Sequence, residues 1–224
     1  MQYENEMRLF DPKLGQRLYV DSRERDRFLN TANEIDNRKH RLFCHVLHWT
    51  GARISEVLEL TGQRIDFDRQ AITFRTLKKR KRTAKGEIKR PSFRQVPVPQ
   101  DLTNSLDLLF DLRGKRKNND SSITLPLWPS KTDPAKVMSR STGWRIVKRV
   151  LDQAGIEGPQ ATAKGFRHGF GVAMIMGGMD LYTLQHIMGH ERPETTAIYL
   201  QVRGQEAHEL QMQYWQRANK GWQE

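Results

Sequence analysis

Residues Lys164–Leu200 read KGFRHGFGVAMIMGGMDLYTLQHIMGHERPETTAIYL. Lys164, Arg167, His168, His190 and two tyrosines, Tyr182 and Tyr199, are spaced through an apolar pattern of helical period. That period predicts two helices with Gly177-Gly178 as their joint. Met174, Met176, Met179 and Met188 follow the same spacing and read as packing residues, since an unbranched thioether fills irregular gaps. What is left over, a set of cations, imidazoles and phenols on helices, suits chemistry on an anion.

Outward from this stretch the chain alternates helical and extended patterns. Residues 1–20 mix charges with Pro12 and Gly15 and show no period, so an arm or lead-in is expected there, and the main body over 21–224. Asp21 or Ser22 suits an N-cap. Phe28, Leu29, Ala32 and Ile35 then share a face, and RKHRLFCHVLHWTGARISEVLEL repeats apolar residues at three and four, broken around Thr50-Gly51. IDFDRQAITFRTLKKRKR suits one strand and SFRQVPVP a second, together a hairpin with a basic tip or flank. DLTNSLDLLFDLRGK predicts an aspartate-capped helix ending at Gly114. Residues 115–136 read as an exposed loop in which ITLPLW adds a short edge strand. RSTGWRIVKRVLDQAGI predicts a helix stopping at Gly155, and 205–219 a polar C-terminal helix whose thin apolar face holds Ala207, Leu210, Tyr214 and Trp215. The expected class is α+β, mostly helical with a small antiparallel sheet.

Charge narrows the partner. Lys and Arg number 38 against 26 Asp and Glu, a net +12, so a polyanion is expected, with nucleic acid ahead of an anionic membrane surface. No run of eighteen apolar residues and no signal-like N-terminus is present, which points to a cytoplasmic, nucleoid-associated protein. The one cysteine, Cys44, cannot form an internal disulfide and reads as buried and reduced. His45 and His48 stand three apart, a spacing that can hold a metal, yet no third ligand accompanies them and no metal is expected.

Chemistry on a nucleic-acid phosphate needs a nucleophile, cations for the phosphoryl oxygens and an acid for the leaving oxygen. Arg53, after the Thr-Gly turn of TGARISEVLEL, and Arg167, in KGFRH, supply guanidiniums that each bind two phosphate oxygens at once. These residues resemble the tyrosine recombinases, or phage-type integrases. TGARISEVLEL is similar to that family's first arginine box, and KGFRHGFGVAMIMGG to its His-x-x-Arg-His box. IMGHERPETTAIY is similar to its Leu-Gly-His…Thr-Thr…Tyr ending, with His190 and Tyr199 nine residues apart.

The resemblance implies a DNA strand breaking-and-rejoining enzyme. Arg53 and Arg167 would hold the scissile phosphate, Tyr199 would attack it to give a 3′-phosphotyrosyl linkage, and His190 would donate a hydrogen bond to it. The family's hairpin lysine, which protonates the departing 5′ oxygen, aligns with Lys78, Lys79 being the close alternative. Glu56 matches the acidic position of the first box and would orient an arginine or the hairpin, and His168 reads as supporting or core. Next to the hairpin the basic residues Lys79, Arg80, Lys81 and Arg82 are expected to contact DNA phosphates. Lys164 departs from the pattern by replacing the usual His, and a phosphate-binding cation is the favoured role over a base. The implied partner is double-stranded DNA, bound by four protomers on two sites through the C-terminal helix, with accessory DNA-binding proteins. No cofactor is implied, because the phosphotyrosine conserves the bond energy. Residues 1–20 are expected to form an arm, without the family's separate N-terminal core-binding domain. The rival readings are a DNA-binding regulator that lost cleavage and a topoisomerase-like relaxing enzyme.

Overall fold

Asp21 opens the first helix as a capping box: its carboxylate accepts from Glu24 N at 2.8 Å while the Glu24 carboxylate accepts from Asp21 N at 3.0 Å. The computed structural model describes residues 8–76, 91–202 and 211–217. Helices α1 (Ser22–Asn33), α2 (Arg38–Thr50) and α3 (Ile54–Leu58) come first, followed by strands β1 (Ile65–Asp66), β2 (Ala71–Arg75) and β3 (Phe93–Pro97). Helices α4 (Gln100–Phe110), α5 (Leu112–Lys117), α6 (Arg140–Gln153), α7 (Ala163–Met176), α8 (Leu181–Met188) and α9 (Pro193–Ala197) complete the body, and a 3₁₀ turn, Ile198–Gln201, carries Tyr199. The strands form one antiparallel sheet in the order β1-β2-β3, with Ile72 opposite both Ile65 and Val96. The expected α+β class with a small antiparallel sheet is what the chain adopts.

Several local expectations are corrected. The single strand expected from Ile65 is a tight hairpin, because Gln70 adopts a left-handed φ of 50° and turns the chain between β1 and β2. The helix expected to end at Gly114 breaks earlier, at Asp111, whose short polar side chain tolerates φ 50°; Gly114 lies inside α5. Asp101 sits in the first turn of α4, behind an N-cap at Pro99. ITLPLW makes one isolated bridge, Pro126 with Thr61, in place of an edge strand, since a proline lacks the N–H a ladder needs; a second bridge, Pro129 with Val137, follows it. Residues of the expected arm pack on the body: Leu9, Tyr19 and Val20 are buried in the core. Of the expected C-terminal helix, 211–217 is helical and exposed, and Ala207 and Leu210 lie outside the described residues.

Helix α7 sits between α1, α2, α8 and the 3₁₀ turn, and its sequence divides into three stripes. Gly165 and Gly169 form one: a Cβ at Gly169 would stand 2.0 Å from Val20 O, so only glycine admits the 18–20 backbone. Val20 N donates to Gly165 O at 3.0 Å, fastening that lead-in to the helix. Phe166 and Phe170 form the second stripe, facing Arg25 of α1 and His48 of α2. Lys164, Arg167, His168 and Gly171 recur at helical spacing as the third, which faces Tyr199.

Candidate active site

Arg53 is the N-cap of α3, placed there by the left-handed Gly51 that ends α2. Glu56, one turn on, accepts from Arg53 N at 2.9 Å and from Arg53 Nη1 at 2.9 Å. The same carboxylate is held from the other side by Arg94 of β3, whose Nη2 donates to Glu56 Oε2 at 2.6 Å and Nη1 to Oε1 at 3.2 Å. Both partners of this second pair are almost wholly buried. Arg94 also donates from Nε to Ile187 O at 2.7 Å and from Nη1 to Thr76 Oγ1 at 3.2 Å. One guanidinium thus ties the sheet, the first arginine helix and the end of α8 together. Gly189 leaves room for it, since a Cβ there would approach Arg94 Cδ to 3.0 Å.

Arg167 is half-buried on α7 and donates from Nη1 to Gly51 O at 2.6 Å and from Nη2 to Met188 O. These bonds aim it at the turn that carries Arg53 while leaving its charge without a hydrogen-bonded carboxylate in the described set. Tyr199 is fully buried, and its hydroxyl lies 3.0 Å from His168 Nδ1. Its ring rests against Gly171, where a Cβ would fall 2.5 Å from Cζ. His190, just past α8, shares a hydrogen bond of 2.9 Å between Nδ1 and Thr196 Oγ1 and stacks beside Tyr199 with ring centroids 6.3 Å apart.

Burial dominates the protonation states. It lowers Arg167 to about 9, helped by the nearby Arg53 cation and opposed by Glu56. It raises the Tyr199 phenol to about 12 although Arg167 and Arg53 pull the other way. His168 is lowered to about 3 by burial and by Lys164 and Arg167, and His190 to about 2 by burial and by Arg167 and Arg53. Both imidazoles are therefore neutral at pH 7, each able to accept on one nitrogen and donate from the other. Glu56 moves the opposite way: burial works to raise it, but the hydrogen bond and charge of Arg94 win and hold it below the usual carboxylate range. A buried phenol beside two cations and two neutral imidazoles can deliver an oxygen nucleophile to an anionic centre held by the guanidiniums.

The structure brings Arg53, Glu56, Arg167, His168, His190 and Tyr199 together. Lys164 lies exposed on the same α7 stripe, and its charge reaches His168. Lys78, Lys79, Arg80, Lys81 and Arg82 lie outside the described residues. Tyr182 is 83% exposed, away from the cluster. Cys44 is buried, with its thiol pushed up to about 12. Among the described residues no group of three or more His, Cys, Asp or Glu is placed to hold a metal. Also among the described residues, no helix is long and apolar enough to cross a membrane. Sequence reasoning missed Arg94, although a signal was there: it alternates with Val96 on the buried side of β3 and with Val98 just past it, and a charged residue on a core-facing position requires a partner.

Two guanidiniums thus lie around a buried tyrosine, on a helical α+β body with a three-stranded antiparallel sheet. Residues 19–206 match the phage integrase family, and the chain belongs to it. It is 32% identical over 196 residues to an integrase/recombinase of Escherichia coli, covering 73% of this chain and 55% of that one. To the tyrosine recombinase XerA of Pyrococcus furiosus it is 29% identical over 167 residues, covering 75% of this chain and 51% of the relative. The chain thus spans about half the length of the curated relatives it matches. The crystal structure of XerA recombinase superposes with a TM-score of 0.66 at 24% identity, over 88% of this chain and 64% of that one. The Tn1549 transposon integrase in complex with circular intermediate DNA gives 0.63 at 20% identity, over 92% and 68%. At these identities the likeness to the solved structures is one of fold.

Proposed function

We propose that this chain cuts and rejoins strands of double-stranded DNA at specific sites, with residues 21–224 as its catalytic domain and Tyr199 as the nucleophile. The observation that carries this reading is the placement of Arg53 and Arg167 beside a buried tyrosine whose hydroxyl already has an imidazole partner. In the proposed reaction Arg53 and Arg167 bind the non-bridging oxygens of the scissile phosphate, and His190 donates to the same group. Tyr199 then displaces the 5′ oxygen to leave a 3′-phosphotyrosyl chain, and the hairpin lysine, Lys78 or Lys79, protonates the departing oxygen. Religation is the reverse attack by a 5′ hydroxyl, so neither nucleotide nor metal enters the scheme. Because Tyr199 is fully buried, the segment after α8 must shift to admit a phosphate to its oxygen. Family membership and the DNA complex of the Tn1549 transposon integrase support a DNA substrate, as does the +12 charge. Lys79, Arg80, Lys81 and Arg82 add backbone contacts in this reading, and Lys164 a further phosphate-binding cation.

Assembly on two DNA sites as a homotetramer fits the C-terminal segment, where 211–217 is helical and exposes Met212, Tyr214 and Trp215. An apolar face of that kind suits docking on a neighbouring protomer, and removal of the chain after Gly204 is expected to weaken pairing of sites more than folding.

A nicked suicide duplex, in which the cleaved end diffuses away, tests the reading. A covalent protein–DNA adduct at one sequence is expected. DNA binding without an adduct would identify a regulator instead, and adducts at every sequence a relaxing enzyme.

A further inference from the structure

His168 was expected to be a supporting residue, yet its Nδ1 is the group that touches the nucleophile, 3.0 Å from Tyr199 Oη, with both side chains buried. We propose that His168 is the proton acceptor for Tyr199 in strand cleavage and the donor that returns the proton in religation. The proposal rests on the reading of Tyr199 as nucleophile. As the Tyr199 Oη–phosphorus bond forms, the phenolic proton passes to His168 Nδ1, the phosphorus–O5′ bond breaks, and the 5′ oxygen takes a proton from the lysine ammonium of the hairpin. In religation each proton retraces its path, so the two half-reactions balance.

Three observations support this role. The contact admits the needed tautomer: with the ring hydrogen on Nε2, Nδ1 presents its lone pair to the Tyr199 hydroxyl 3.0 Å away. Burial keeps the ring neutral, so its acceptor lone pair is present before DNA arrives. Among the described residues, the groups around α7 are otherwise cationic or already engaged. Lys164 and Arg167 are cations on the same helix, and His190 bonds Thr196. Arg53 and Arg94 face the site from α3 and β3, with Glu56 held between them. Arg25 and His48 lie across the helix against Phe166.

A weakly basic imidazole suffices because the transfer is late. A phenol oxygen bonded to phosphorus is strongly acidic, and the bound phosphate offsets the arginine charges that disfavour an imidazolium. Lys164, exposed a turn earlier on α7, is thereby left to the phosphate or to the field around His168.

The test is single-turnover cleavage of the nicked duplex by the full chain and its His168→Asn variant across pH 6–9, with rates normalised to bound DNA. Asparagine places an oxygen near the Nδ1 position, so it can hold the Tyr199 hydroxyl but cannot carry its proton. His168→Asn is expected to cleave about a hundredfold more slowly at pH 7. Its rate is expected to climb about tenfold per pH unit as phenolate becomes available, while wild type stays nearly flat. A second substrate with sulfur at the bridging 5′ position removes the need for a leaving-group acid, because a thiol ionises near roughly 8.5. It is expected to leave the His168→Asn defect unchanged. Rescue by that substrate would make His168 the acid and overturn the proposal. Cleavage by His168→Asn at or above the wild-type rate would make His168 a latch on the resting tyrosine and overturn it too. Absence of any adduct from wild type would overturn the nucleophile reading itself, a result distinct from either.

Discussion

On two sides of α7 an arginine and a histidine are buried to different ends. Toward α1 and α2, Arg25 lies over the rings of Phe166 and Phe170, each 5.6 Å away, and hydrogen-bonds His48 O. Toward the 3₁₀ turn, Arg167 and His168 face Tyr199. Burial lowers both arginines, to about 10 and about 9, and both histidines, His48 to about 2 and His168 to about 3. Depressed ionisation therefore does not by itself mark a site. The partners differ: the Arg25 face offers π-clouds and a carbonyl, whereas the Arg167 face offers a tyrosine hydroxyl and a second guanidinium. One face uses cations as packing, and the other concentrates positive charge around an oxygen.

Substitutions separate the faces most sharply at Glu56, the buried carboxylate on the side of the site. Glu56→Gln leaves Arg94 buried without its counter-charge and is expected to cost about 4 kcal/mol of stability, read by denaturant unfolding. The pH dependence follows from the sign of the shift. Glu56 is held below its ordinary value, so its stabilisation is present above that value and is lost as pH falls through the lower folded one. The glutamine variant should accordingly show a shallower loss of stability below about pH 4.5 than wild type does.

Next in size are the guanidiniums. Arg167→Met and Arg53→Ala are each expected to slow adduct formation about a hundredfold, roughly 3 kcal/mol of transition-state stabilisation. Gly171→Ala places a methyl against the Tyr199 ring and is expected to slow adduct formation about tenfold by displacing the nucleophile. Smallest is Arg25→Met, which removes a desolvated cation and keeps volume. Its adduct rate should stay within a few-fold of wild type, and its Tm should stay the same or rise. Equal damage from Arg25→Met and Arg167→Met in the adduct assay would erase the distinction between the two faces.

Much of this was legible in the sequence because it is local. Arg53 with Glu56 and Arg167 with His168 are neighbours on helices whose period can be read, and His190 and Tyr199 are close in the chain. The hidden parts depend on distant pairing. Arg94 meets Glu56 across 38 residues, and His168 meets Tyr199 across 31, separations that no periodicity encodes. Gln70 and Asp111 were hidden for a different reason: a non-glycine residue in a left-handed turn leaves only a weak mark on composition. The basic segment from Lys78 to Arg82 was conspicuous in the sequence, but its contacts lie outside the described residues.

The central claim is that Tyr199, held by His168 among the site-face cations, becomes covalently joined to DNA. The most direct measurement is mass spectrometry of the peptide left attached to a nicked duplex after cleavage and digestion. A nucleotide adduct on Tyr199, absent from Tyr199→Phe while that variant still binds DNA, is the expected result. An adduct on Tyr182, or one that persists in Tyr199→Phe, would contradict it.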